Sequence, residues 1–279
     1  MRIFMTGATG FVGTAVATAL RRRGDDVAAL VRAGSDSKHL RDLGATVVAG
    51  DLGSLPNLAG YDRFVHCAQS RSSDSIELDR GAVRAFAAMN HSDGGFVYTS
   101  GVWVLGNTGE SVADETSPVS PLAIVAWRPA HERLVLDAGN PRFATCVIRP
   151  GCVYGGRQSL LADWFTAANE GRAISIAGDG TNRWAMVDLH DLTECYLRAI
   201  DQRATGILHA VDDSNHTINE CARAVIASRG SSSGVEHVPL EAARAKMGVF
   251  ADALTVNQRI SSAATRQNLG WSPTRSFVA

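Results

Sequence analysis

The pattern of apolar and polar positions changes character about halfway along the chain. In the first half, short apolar runs alternate with stretches of helical period. The runs are RIFMT (2–6), DVAALV (26–31), TVVAG (46–50), RFVHCA (63–68), GFVYTS (95–100) and ATCVIRP (144–150). They lack the polar alternation of a half-exposed strand, so they read as strands covered on both faces. Between them, 11–23, 36–43, 76–91, 122–138 and 157–170 carry helical spacing. Such alternation predicts an α/β fold with a doubly wound parallel sheet and right-handed crossovers.

Beyond about residue 150 the order is less regular. GDGTNRW (178–184) reads as a turn, DLHDLTECYLRAI (188–200) as a helix and GILHAV (206–211) as a strand. A helix over 216–228, a flexible loop SRGSSSG (228–234), a short strand VEHVPL (235–240) and a last helix ended by LGWSP (269–273) follow. The expected organisation is a first domain over 1–153 and a smaller, interleaved α+β lobe over 154–279, with the helix at 188–202 returning to the first domain.

The first strand runs into GATGFVG and then an apolar helix. Gly7, Gly10 and Gly13 are spaced three apart: the first for a tight turn, the second for close backbone approach to a phosphate, the third for helix–sheet packing. With Thr9, Phe11 and Val12 they form a candidate pyrophosphate site at a helix N-terminus, in a Rossmann-type sheet. The next strand ends in Arg32, where an acidic residue would select NAD; Asp25 and Asp26 lie at its other end. A guanidinium matches a 2′-phosphate, so Arg32, with Ser35, argues for NADP, with NAD as the alternative.

Composition narrows the field. The chain has 279 residues, is 45% hydrophobic and carries a net charge of -1. No basic excess points to nucleic acid or an anionic membrane, and no apolar run approaches the roughly 18 residues of a membrane span. Cysteines 67, 146, 152, 195 and 221 form no C-x-x-C pair, which fits reduced thiols in a cytoplasm. A chain that opens directly on a strand pattern is expected to carry no signal peptide. No H-E-x-x-H or Cys/His spacing suggests a metal site. Of 27 basic residues only Lys38 and Lys246 are lysine, so a lysine-dependent mechanism has almost no candidates.

Taken in order, TGATGFVG (6–13), GDL (50–52), VHCA (65–68), VYTSG (97–101), VIRPGCVYG (147–155), GDGTNRW (178–184) and LGWSP (269–273) resemble the extended short-chain dehydrogenases/reductases, the NAD(P)-dependent epimerase/dehydratase group. The resemblance implies that Asp51 and Leu52 contact adenine, Cys67 and Ala68 line the cofactor channel, and Gly151 and Val153 border the nicotinamide. It places Ser100, or its neighbour Thr99, near the catalytic hydroxyl and Trp103 and Arg183 toward substrate. The helices at 76–91 and 122–138 resemble those through which relatives pair, which implies a homodimer by analogy.

The group's chemistry rests on Tyr-x-x-x-Lys, one helical turn apart: a proton-transferring phenol and a ribose-holding cation. Aligned on Glu132, which stands where relatives carry a glutamate, this chain has Ile124 at the tyrosine position and Arg128 at the lysine position. Ile124 transfers no proton. Arg128 can hold a ribose but cannot act as an acid. Pro129 removes a helical hydrogen bond and should kink or restart the helix. Three readings stay open. One is an NADP-dependent oxidoreductase acting on a small carbonyl or alcohol, with Ser100, Tyr154, His131, a substrate group or water replacing the phenol. Another is a non-catalytic NAD(P)H sensor. The third is a nucleotide-sugar epimerase or dehydratase.

Overall fold

The computed structural model describes all residues except 71, 92, 157, 278 and 279. Its first half runs β1 (Arg2–Thr6), α1 (Phe11–Arg22), β2 (Asp26–Val31), α2 (Lys38–Asp42), β3 (Thr46–Ala49), β4 (Arg63–His66), α3 (Ser75–Ala87), β5 (Gly94–Thr99), α4 (Arg128–Asp137) and β6 (Phe143–Pro150). Its second half runs β7 (Cys152–Tyr154), α5 (Ala162–Asn169), β8 (Ile174–Ala177), β9 (Met186–Asp188), α6 (Leu189–Asp201), β10 (Gly206–Ala210), α7 (Ile218–Ser228), β11 (Val235–Val238), α8 (Leu240–Met247), α9 (Phe250–Thr255) and α10 (Ala263–Leu269).

Seven strands make one sheet in the order β10-β6-β5-β4-β1-β2-β3, each pair parallel. The direction of winding reverses between β1 and β4, and the crevice outside their carboxyl ends is where such sheets bind ligands. The six expected strands all form. Alternation along β1 explains the two cores: Ile3 and Met5 pack with α1 and α6, while Phe4 joins Phe64, Phe86, Phe96 and Phe143 on the opposite face. No helix among the described residues is long and apolar enough to cross a membrane.

Three expectations change. The helix expected over 122–138 divides into a 3₁₀ turn (Ala123–Val125) and α4, which starts at Arg128 with Pro129 in its first turn. Proline fits there because first-turn N–H groups have no intrahelical partner. The helix expected over 157–170 begins on a residue outside those described, and the regular helix starts at Ala162. The strand at Gly206–Ala210, given to the smaller lobe, pairs with β6 and forms an edge of the main sheet. The smaller lobe proper holds the parallel pair β8–β11 and a core built around Trp164, Trp184, Ile174 and Ile218. LGWSP clamps the C-terminal segment to α6: the Trp271 indole donates to the Asp191 carbonyl at 2.8 Å, and the Asp191 carboxylate accepts from the Thr274 and Arg275 amides.

Candidate active site

The chain leaves β1 through Gly7, at φ +77°. A Cβ there would lie 2.5 Å from the Ala68 nitrogen and the Cys67 carbonyl carbon, so both conformation and space require glycine. A Cβ at Gly13 would lie 2.1 Å from the Gly7 oxygen, which is how closely α1 sits on the turn. Gly10 is the N-cap of α1; no side chain caps it and no carboxylate stands in the first turn. The first-turn amides and the positive end of the helix dipole therefore face an anion-sized opening.

A cleft of about 930 Å³ extends from this turn. Gly7, Thr9, Gly10, Cys67 and Ala68 line one end; Arg32, Ser35, Asp51 and Leu52 line the other. Arg32 is exposed and makes no ion pair among the described residues. Asp25, at the far end of β2, is occupied by the Met1 amino group at 3.0 Å. Asp51 Oδ1 accepts the Gly53 amide at 2.9 Å and holds its turn closed. Phe11 lines the neighbouring cavity instead, and Val12 packs into the core behind α1. Burial pushes the Cys67 thiol up to about 11, so it is no thiolate nucleophile near neutrality.

Next to this cleft lies a cavity of about 390 Å³. Gln69 lines both and joins them. Ser100, Trp103, Arg128, Gly151 and Val153 line the cavity, as does Ile124. Thr99 and Ser100 now separate. The Thr99 hydroxyl is engaged with Tyr196 at 2.5 Å and Cys67 at 3.4 Å. The Ser100 hydroxyl is buried and has no protein partner. Burying a hydroxyl unpaired costs roughly 1–3 kcal/mol, and a ligand in the cavity would satisfy it.

Arg128 is held from two sides. One guanidinium nitrogen donates to the Thr99 carbonyl at 2.8 Å, and the Trp127 ring lies 4.5 Å from its Cζ. Trp127 in turn meets His131 edge-on at 4.9 Å. His131 lines no part of the cavity; its Nδ1 faces Asp79 at 2.6 Å. Asp79 also takes the Tyr98 hydroxyl at 3.0 Å and His66 at 3.1 Å, and His66 reaches Thr6 at the end of β1. Burial pushes the Asp79 carboxyl up, but hydrogen bonds from His131 and His66 and the charge of Arg128 outweigh it and hold it well below the usual range. A buried chain of hydrogen bonds and ring contacts thus runs under the site from the glycine turn to the Trp127–Arg128 stack.

Two sequence candidates lie elsewhere. The Tyr154 hydroxyl donates to Asp212 and to the Arg275 carbonyl, each at 3.2 Å, in a separate cavity with Phe165 and Phe277. Burial and the Asp212 carboxylate push its phenol well above the ordinary range. The structure does not bring it to Ser100. Arg183 lines neither of the joined cavities, and its Nε donates to the Asn215 carbonyl at 3.1 Å. Gln69, Leu160 and Phe250 line the cavity without having been singled out from sequence. Gln69 follows VHCA directly and could have been found there; nothing in sequence marks Phe250. Among the described residues no His, Cys, Asp or Glu cluster could hold a metal ion.

A family model described as NAD dependent epimerase/dehydratase family matches residues 3–211. An uncharacterized protein of Schizosaccharomyces pombe is 28% identical over all of this chain and 97% of its own. A 2-alkyl-3-oxoalkanoate reductase of Stenotrophomonas maltophilia is 30% identical over 74% of this chain and 67% of its own. Among solved structures, human epimerase family protein SDR39U1 with NADPH superposes at a TM-score of 0.83 with 19% identity, covering 100% of this chain and 97% of that one. That last likeness concerns the fold.

Proposed function

We propose, starting from the fact that the chain belongs to the NAD dependent epimerase/dehydratase family, that it is an NADP(H)-dependent reductase of a carbonyl substrate. It is in any case an extended short-chain dehydrogenase/reductase, an NAD(P)-dependent oxidoreductase or epimerase in the broad sense. The observation that carries the narrower reading is the Ser100 hydroxyl, buried without a partner on a cavity that also holds the Arg128 side chain.

The residues fit a dinucleotide. The uncapped first turn of α1 suits a pyrophosphate, and the unpaired Arg32 suits a 2′-phosphate. When bound, reduced nicotinamide supplies a hydride. The Ser100 hydroxyl donates to the substrate carbonyl oxygen and polarises it. Arg128, fixed by Thr99 and Trp127, turns its remaining donors toward ribose hydroxyls or the oxygen as it gains charge. The carbon–oxygen π pair moves to that oxygen, which takes a proton from water through Ser100. Among the described residues no tyrosine lines this cavity.

Two substitutions test this. Ser100→Ala should lower kcat by roughly a hundredfold, as loss of an oxyanion donor does, while leaving NADPH affinity alone; unchanged turnover would remove Ser100 from the mechanism. Arg32→Ala should weaken NADPH by about tenfold to a hundredfold, the worth of a charge-assisted phosphate contact, and barely affect NADH. Calorimetric titration with both nucleotides reads this directly, and equal losses would refute the NADP assignment. Ile124 on the cavity wall favours one other reading, a nucleotide sensor without chemistry. NADPH binding with no oxidation across an aldehyde and ketone panel would select it.

A further inference from the structure

The cavity holding Ser100 is not closed at its far side. Leu160 and Phe250 line it, and both also line a second cavity of about 340 Å³ inside the smaller lobe. That second cavity is walled by Trp164, Trp184, Ile174, Ile176, Ile218 and Leu254. The two indoles stack at 5.8 Å, and the Trp184 N–H is consumed by the Leu254 carbonyl at 3.0 Å. Its charged groups are few. Arg172 pairs with Glu170 at 2.6 Å, and Lys246, exposed at the rim, faces a space that also has Asp163 on its wall. A diphosphate in this space would be desolvated against apolar walls, with Lys246 and the already paired Arg172 as the lining cations, which is unfavourable. Arg183, the arginine that the family resemblance turns toward substrate, lines neither chamber. Exposed apolar side chains gather here as well. Leu160 and Met247 on the wall, and Val249 beside them, are 37%, 41% and 53% exposed; the other exposed large apolar residues among those described, Met1, Ile76, Val112 and Val119, do not line the chamber.

The geometry points to an amphiphilic carbonyl compound as the substrate class: the carbonyl group at Ser100, and an alkyl or aryl tail passing Leu160 and Phe250 into the Trp164–Trp184 chamber. The carbonyl end rests on the reductase reading above; the tail end rests on the second chamber alone. The chamber excludes a nucleotide sugar for the same reason that it accepts a hydrocarbon.

The test is a series of methyl ketones from butanone to dodecanone titrated calorimetrically into the NADPH-loaded protein, with NADPH oxidation followed in parallel. Each added methylene should tighten Kd roughly fourfold until the chamber is full. Ala177→Trp, on the chamber wall, should shrink the ratio between dodecanone and butanone affinities. Ala173→Trp, an exposed wall position outside the strand pair, repeats the measurement without repacking β8. A Kd independent of chain length, an equal length dependence in wild type and both variants, or UDP-glucose displacing dodecanone would overturn the assignment. Length-dependent binding without NADPH oxidation would keep the chamber and remove the reductase reading. Oxidation without length dependence would do the reverse.

Discussion

Gly7→Ala is expected to abolish dinucleotide binding and to destabilise the protein by on the order of 3 kcal/mol or more. Two penalties coincide at this residue. Its φ of +77° disfavours any side chain, and a Cβ would meet backbone atoms of Cys67 and Ala68 at 2.5 Å, which no rotamer change can relieve. The turn must open, and the first amides of α1 lose their aim. Gly10→Ala provides the contrast. Its φ of -88° is ordinary and its Cβ would come no nearer than 3.2 Å to the Gly7 oxygen. That variant should fold nearly as well as wild type while binding NADPH more weakly. Thermal unfolding and nucleotide titration of the pair separate the two effects; Gly7→Ala protein that binds within threefold of wild type would contradict the assignment of the turn.

Glu132→Ala should cost about 3–5 kcal/mol, because it strands a buried guanidinium. Glu132 takes two hydrogen bonds from Arg149, at 3.0 and 2.6 Å, and both side chains are almost fully buried. The pair ties α4 to β6 directly behind Arg128. Replacing both residues with leucine should recover most of the loss, since apolar packing often replaces a buried ion pair without penalty. Denaturant unfolding of wild type, single and double variants measures this; a single-variant loss below about 1 kcal/mol would mean that water reaches the pair.

Much of this architecture was legible because its signals are local. The glycine spacing at 7, 10 and 13, the apolar runs of the sheet and the Gly270 stop after α10 each report backbone geometry of their own neighbourhood. Glu132 served to align α4, and its partner explains why it stands there: Arg149 needs it. Pro129 read ambiguously because kinking and starting a helix look alike in sequence; the structure places it in the first turn of α4. The His66–Asp79–His131 chain was invisible for another reason. Its members come from β4, α3 and α4, and only the sheet order brings them together. Tyr154 shows the converse error: proximity to β6 in sequence placed it near the cofactor, but β7 carries its side chain toward Asp212.

The edge strand β10 has a consequence for engineering. β6 is buried along its whole length, and β10 covers its open side after the chain has already built β7, α5, β8 and α6 elsewhere. A fragment stopping at residue 153 would present the unpaired edge of an otherwise buried strand, ready to zip onto another copy. Chimeras that graft a relative's substrate-binding portion onto this scaffold should therefore leave 189–210 with the recipient and exchange the flanking segments around it.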